Sequence, residues 1–393
     1  MSDTTTAERG HFGYLFAGFS SLLIVAFIDN ARGPILPVLL ETLRIPYETA
    51  GLFLTVGAMT AVIATLLLEP CLHRWGERKV AIATCWLSMT PGFLAPFVDG
   101  RWSLLLLGVL LGAAVATIGS MCSILTIKGS PTQNRGRYLS FQQVMYGVGS
   151  MTAPLAFRGL VALELPWWWL LTGSSAILLL LGLAFVRMLP QEAPPTNEET
   201  RSQKQGVGLS GVLMVLLFAL YVAGEVLASM WMSSLMVAKH GKTPAEAATL
   251  LSIFFVMMGL TRFLCFLFVR PRHEAVVLVG CVGLAIVFSF LGQQGYSWAL
   301  PAMGILGPFF PLCMARISVQ FPENWKKITI YVYGGIQTML AIMHLSVGKL
   351  SDQIGIDRAF LLSPAFLLVA FFLLLPTLRR SRETSGREAG HAG

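Results

Sequence analysis

The chain has 393 residues, of which 55% are hydrophobic and only 12% charged, with a mean hydropathy of +0.70. A soluble globular chain carries about 25% charged residues, so a soluble enzyme and a disordered protein are excluded. The net charge of +8 does not point to nucleic acid, because the basic residues sit in short loops between apolar runs, where they report membrane orientation.

The polar start, MSDTTTAERGHFGY, lacks the basic opening and cleavage site of a secretory signal, so the first apolar run is expected to be retained. Twelve runs follow, at 12–40, 48–69, 80–99, 102–127, 138–163, 167–188, 210–236, 245–269, 274–293, 297–320, 327–348 and 359–378. Each approaches the ~20 apolar residues that a membrane-crossing helix needs, and none alternates as a barrel strand would. The expected fold is an all-α membrane protein of twelve transmembrane helices in two six-helix, pseudo-symmetric halves. The halves are 1–188 and 210–393, the latter with a short tail, and the polar stretch 189–209 reads as a cytoplasmic linker.

Of the 28 Lys and Arg, 18 fall on the side of the two termini, 7 on the other side, and Arg32, Arg262 and Arg316 inside runs. That bias predicts a multi-pass protein of the inner membrane with both termini cytoplasmic. Shifting the second half back by 198 residues lays Glu246 on Glu48, Ala248 on Ala50 and Arg272 on Arg74. In both halves a helix starts after a short outer loop and ends at a basic inner turn, which reads as an internal repeat.

Charged groups at bilayer depth cost at least ~2.5–3.5 kcal/mol and are candidate sites. In run 1, Asp29 and Arg32 share a helical face, with Asn30 between them. They read either as a substrate or proton site with its own counter-ion or as an intrahelical ion pair. Gly33, Pro34 and Pro37 follow and predict a break in that helix. Gln142, Gln143 and Tyr146 in run 5 and Gln337 in run 11 are candidate substrate ligands, although helix-to-helix bonding explains them equally. Glu225 lies about fifteen residues into run 7, near mid-membrane. It reads as a proton-coupling or hydroxyl-binding carboxylate, with Trp231 and Tyr221 as an aromatic wall, or as a structural partner of Arg262 in run 8. Arg262 itself is a candidate inner gate, whereas Arg316 reads as snorkelling and His344 as a packing residue.

The six cysteines (Cys71, Cys85, Cys122, Cys265, Cys281, Cys313) show no C-x-x-C spacing, so neither a zinc site nor a disulfide framework is expected. The sequence has no G-x-x-x-x-G-K-[ST] loop, no H-E-x-x-H helix and no G-x-S-x-G elbow. No cofactor, metal or enzymatic activity is expected, and no ATP-driven work by this chain alone.

His73-Arg74-Trp75-Gly76-Glu77-Arg78-Lys79 resembles the loop between helices 2 and 3 of the major facilitator superfamily, matching it at Arg74, Gly76 and Arg78. Asn134-Arg135-Gly136-Arg137 resembles its Arg-Gly turn before helix 5, and Gly147, Gly149, Ala153 and Pro154 its small-residue helix-5 motif. Three segments resemble the fucose permease-like sugar transporters within that superfamily: Tyr221 to Glu225 with Trp231; Gly259 to Arg262; and Gly304, Gly307, Pro308 and Pro311 with Phe321 and Pro322. Gly348, Lys349, Leu350 and Asp352 resemble their helix-11 exit.

The resemblance implies a secondary transporter, a symporter, working by ion-coupled alternating access on a small polar solute such as a sugar. Glu225 or Asp29 would take the coupling proton, with sodium as the other ion considered, and Arg74, Gly76, Arg78 and Arg262 would gate. Proton-driven efflux of amphipathic drugs is the second reading, and a non-transporting sensor or intramembrane enzyme the reading from another class. The expected partners are a small-molecule substrate and the lipid bilayer, with no nucleic acid, the chain acting as a monomer.

Overall fold

A computed structural model describes residues 2–131, 135–190, 208–270, 273–321 and 325–391. Most of the expected linker, and Asn134, Arg272 and Pro322, lie outside the described residues.

The first half holds α1 (Ser2–Thr42), α2 (Tyr47–Trp75), α3 (Glu77–Leu87, continued by Thr90–Leu94 and the turn Ala95–Phe97), α4 (Arg101–Gly129), α5 (Arg135–Ala162) and α6 (Trp169–Met188). The second holds α7 (Leu209–Ala238), α8 (Pro244–Phe268), α9 (Glu274–Gln293), α10 (Ala299–Ala302, Met303–Leu306 and Phe309–Gln320), α11 (Trp325–Ile354) and α12 (Ile356–Ala359 and Leu362–His391). Eleven are long and apolar enough to cross a membrane. The other, α5, spans 28 residues, about 42 Å at the helical rise, but carries more polar side chains. The chain is a multi-pass membrane protein of all-helical fold. Large apolar side chains such as Leu66, Leu67, Leu180 and Phe372 are exposed on its outer surface, where lipid would cover them. Trp75, Trp102, Trp169 and Trp298 are exposed near helix ends, as in an interfacial aromatic belt.

Odd and even helices run in opposite directions, so the loops divide between a terminal side, which carries both chain ends, and a far side. Between the halves, α2 packs on α11, α5 on α8 and α1 on α7. The sequence repeat matches α2 with α8 and α5 with α11, so it relates the α2–α11 seam to the α8–α5 seam, and both are packed.

The expected break in helix 1 is corrected. α1 runs unbroken through Pro34 and Pro37, as membrane helices can tolerate proline where the freed backbone groups are satisfied within the protein. Gly33 serves close approach instead: a Cβ there would meet the Ser229 carbonyl of α7 at 3.0 Å and Leu251 of α8 at 3.2 Å. The break falls in α10, at Gly307-Pro308. Pro308 and Pro311 have no N–H to offer the carbonyls of Gly304 and Gly307. Gly304 O accepts from the Gly307 N–H at 3.1 Å and from Thr261 Oγ1 at 3.1 Å, and Gly307 O accepts from Arg262 Nε at 3.0 Å, so side chains of α8 bond both carbonyls at the break.

Candidate functional site

A cavity lies where the halves meet, between α1, α2, α4 and α5 on one side and α7, α8 and α11 on the other. Asp29, Asn30, Arg32 and Tyr146 line its first-half wall, and Glu225, Ser229, Gln337 and His344 its second-half wall. Leu54, Met230, Phe255, Met258 and Leu340 supply apolar surface.

Asp29 and Arg32 are paired as their spacing predicts, Arg32 Nη2 meeting Asp29 Oδ1 while Nε donates to the Asp29 carbonyl at 3.0 Å. The two readings of this pair are therefore compatible: it is intrahelical, and it faces the cavity. Glycines behind it make the room. A Cβ at Gly57 would lie 3.7 Å from Arg32 Nη1 and 3.2 Å from the Gly108 carbonyl, and one at Gly112 would overlap the Gly57 carbonyl. Gly108 and Gly112 thus bring α4 against α2. Sequence reasoning missed this wall, for which the small-xxx-small spacing of the two glycines is the available signal. Asn30 Nδ2 donates to Ala26 O and to Ser150 Oγ, each at 2.9 Å, with Tyr146 OH 3.5 Å away, which ties α1 to α5.

Glu225 is not ion-paired with Arg262. Its partner is the Tyr221 hydroxyl one turn earlier on α7, while Arg262 is engaged at the break in α10. The Tyr221 hydroxyl also lies 3.1 Å from Leu306 O, a second acceptor for its one hydrogen, and its ring stacks on Phe309 with centroids 3.9 Å apart. The same hydroxyl therefore touches the cavity carboxylate and the broken helix.

Three candidates do not line the cavity. Trp231 is fully buried, because α7 is enclosed on all sides at that level. Its Nε1 donates to His344 Nδ1 at 3.1 Å, and its ring stacks against Tyr47 at 6.4 Å. That bond needs an unprotonated Nδ1, so His344 is held as the acceptor rather than being free to turn. Gln142 is buried and Gln143 exposed, one turn from Tyr146 toward the terminal side.

The candidate gating residues lie apart from the cavity. Gly76 has φ +78 and closes α2 through its N–H to Leu72 O, a conformation that favours glycine. Arg78 donates to Leu189 O at 2.9 Å and Val186 O at 2.7 Å, holding the last carbonyls of α6. Arg74 is exposed. Among the described residues no group of three or more His, Cys, Asp or Glu is placed to hold a metal.

The family model described as Major Facilitator Superfamily matches residues 18–307. Multidrug resistance protein MdtG of Dickeya zeae is 30% identical over 143 residues, 35% of each chain, and its counterpart in Salmonella arizonae is 30% identical over 146 residues, again 35% of each. The match thus spans about a third of the length of these curated relatives. In fold, the chain is similar to a D-xylose-proton symporter, with TM-score 0.74 and 12% identity over 92% of this chain and 97% of that one. It is also similar to the nucleoside transporter NupG, with TM-score 0.70 and 14% identity over 93% of this chain and 99% of that one.

Proposed function

The chain belongs to the Major Facilitator Superfamily and is not an enzyme, and on that premise we propose that it is a secondary active transporter. In this reading it moves a small organic solute by exposing the cavity alternately to the two sides of the membrane. One observation carries the proposal: ionisable side chains from both halves, Asp29 and Arg32 facing Glu225, line a cavity at the seam between them. Such groups at membrane depth mark substrate and ion pathways.

Glu225 takes the coupling proton, and the hydrogen-bond inventory supports this. Tyr221 has one hydrogen and two acceptors in reach, the Glu225 carboxylate and Leu306 O. With a proton on Glu225, the carboxyl donates to Tyr221 and Tyr221 donates to Leu306, so all three groups are satisfied. Without it, Tyr221 turns to the carboxylate and the Leu306 carbonyl loses its donor. Protonation is thereby transmitted to the break in α10. This favours the proton over sodium as coupling ion.

The substrate is polar on one face. Asn30, Tyr146, Gln337 and Glu225 suit the hydroxyls of a sugar, in keeping with the resemblance to the fucose permease-like branch. A second reading, efflux of amphipathic compounds, is favoured by Met230, Met258 and Phe255 on the same cavity and by the multidrug resistance relatives. The protein sits in the inner membrane as a monomer with cytoplasmic termini. Thiol tagging should label Gln203→Cys only from the cytoplasm and Lys242→Cys only from outside.

The test of function uses vesicles. Transport should survive removal of ATP while a proton gradient is held. Glu225→Gln, which mimics the protonated carboxyl, should still exchange substrate but not accumulate it against a gradient. Accumulation equal to the parent's, with unchanged pH dependence, would sink the coupling role and pass it to Asp29.

A further inference from the structure

Several contacts among the described residues join the halves level with the cavity or on its far side. Thr55 Oγ1 donates to Ala341 O at 3.1 Å, Tyr47 stacks on Trp231, and Ser252 Oγ donates to Met151 O at 3.4 Å. At the far end, the backbone N–H groups of Tyr47 and Glu48 donate to the two carboxylate oxygens of Asp352, at 2.9 and 2.7 Å. One turn inward α2 and α11 cross at glycines: a Cβ on Gly51 would stand 2.5 Å from His344 O and 3.0 Å from the Gly348 Cα. Near the terminal side, Lys128 pairs with Glu77 at 2.6 Å and Arg316 with Glu274 at 3.1 Å, each pair inside one half.

The sequence repeat explains why α2 needs Asp352. On the 198-residue shift, Ile45-Pro46-Tyr47-Glu48 lies on Thr243-Pro244-Ala245-Glu246. In the second half Thr243 Oγ1 accepts from Glu246 N at 3.2 Å and Glu246 Oε2 accepts from Thr243 N at 2.8 Å, a capping box within α8. In the first half Ile45 stands where the threonine is needed, and α2 has no side-chain cap of its own. Its first N–H groups are left without helical partners, and a carboxylate from the other half takes them, where charge and helix dipole also agree.

We propose that Asp352 is a positioning residue of the transport cycle: by capping α2 from the opposite half, it latches the far side of the cavity shut. The proposal rests on the alternating-access reading. To open the far side, α2 must leave its cap behind, whereas α8 keeps its own.

The test follows access to the cavity in full-length protein in sealed vesicles. A cysteine at the cavity-lining position Gln337 is exposed to a membrane-impermeant maleimide from the far side, and modification is read at that peptide by mass spectrometry. Against Gln337→Cys alone, Asp352→Ala should raise far-side labelling about tenfold, the effect on an equilibrium of losing a helix cap. Asp352→Asn, which keeps an acceptor, should stay within about threefold of the parent. Adding Ile45→Thr to Asp352→Ala rebuilds the T-x-x-E box. It should restore the melting temperature while labelling stays high, since the new cap no longer joins the halves. Unchanged labelling in Asp352→Ala overturns the latch, and so does labelling returned to the parent's by Ile45→Thr, which would make Asp352 a helix cap and nothing more. If Asp352→Ala fails to fold, Ile45→Thr alone decides: competition from the new cap should raise far-side labelling, and no rise overturns the proposal. The assay needs no substrate, so the latch can fail while transport stands, and transport can fail while the latch stands.

Discussion

Helices α2 and α8 hold equivalent places in the two halves, and their far-side ends are built on different principles. α8 begins on Thr243 and Glu246, which satisfy each other's backbone; α2 begins on Ile45 and Pro46 and takes its acceptors from Asp352. The seams differ in the same sense. Gly51 and Gly348 let α2 and α11 touch backbone to backbone, whereas the repeat puts Thr249 and Ser150 at the matching places of α8 and α5. Each of those hydroxyls is engaged, Thr249 Oγ1 with Ala245 O at 2.9 Å and Ser150 Oγ with Tyr146 O at 2.8 Å. The α5–α8 seam can therefore shift without leaving backbone groups of α8 unpaired. Parting the α2–α11 seam takes the Asp352 carboxylate from the first N–H groups of α2 and leaves them to water. A pseudo-symmetric fold thus concentrates the cost of opening on one of its two seams.

The largest test of that asymmetry is steric. Gly51→Leu places a branched side chain where a single Cβ already stands 2.5 Å from His344 O. Overpacking of this kind costs about 1–3 kcal/mol or more, and here the halves can avoid it by staying apart on the far side. Far-side labelling of Gln337→Cys should approach its maximum and transport should be lost. Thr249→Leu at the equivalent place in α8 should lower transport less than tenfold, since Thr249 is half-buried and its hydroxyl bonds only its own helix. Equal losses from the two changes would break the comparison.

The comparison also shows what was legible beforehand. The twelve helices followed from the apolar runs, and the repeat was readable at Glu48 and Glu246, close to where the two helix starts diverge. Six of the nine candidate substrate ligands, Asp29, Asn30, Arg32, Tyr146, Glu225 and Gln337, line one cavity, because burying polar groups in a membrane helix leaves few other places for them. Helix breaks were harder to place. Pro34 and Pro308 look alike in sequence, and the outcome at each depends on neighbours distant along the chain. Thr261 and Arg262 support the freed carbonyls of α10, which also removes Arg262 as a partner for Glu225. Trp231 looked like a cavity wall because its exposure depends on how α7 packs against α2 and α11. Asp352 entered the sequence reading only as part of a helix-11 exit, and its capping role was not legible because its two donors lie 304 and 305 residues away in sequence.

A medium effect separates stability from gating. Thr243→Ala removes the cap of α8, which costs about 1 kcal/mol and should lower the melting temperature by about 1–2 °C in a chain of this size. Far-side labelling of the cavity cysteine should not move, because that cap joins nothing across the seam. A rise comparable to that of Asp352→Ala would mean that helix starts in either half control the gate, and the asymmetry would be lost.

The smallest expected effect compares single hydrogen bonds across the two seams. Thr55 Oγ1 to Ala341 O measures 3.1 Å and lies beside the glycine crossing; Ser252 Oγ to Met151 O measures 3.4 Å, near the limit of a useful bond, and the same hydroxyl has an alternative acceptor in Ala248 O at 3.2 Å within α8. Thr55→Val keeps the shape of the side chain and removes its bond. A net hydrogen bond contributes about 0.5–1.5 kcal/mol, so far-side labelling should rise about two- to tenfold if that energy acts on the closed state alone. Ser252→Ala should leave labelling within about twofold of the parent, because Ser252 can satisfy itself within its own helix and so contributes little across the seam. The ratio of the two changes is the informative quantity, since it cancels any general loosening of the bundle. A ratio near one would place the closing energy evenly on both seams, and a reversed ratio would move the latch from α2–α11 to α5–α8.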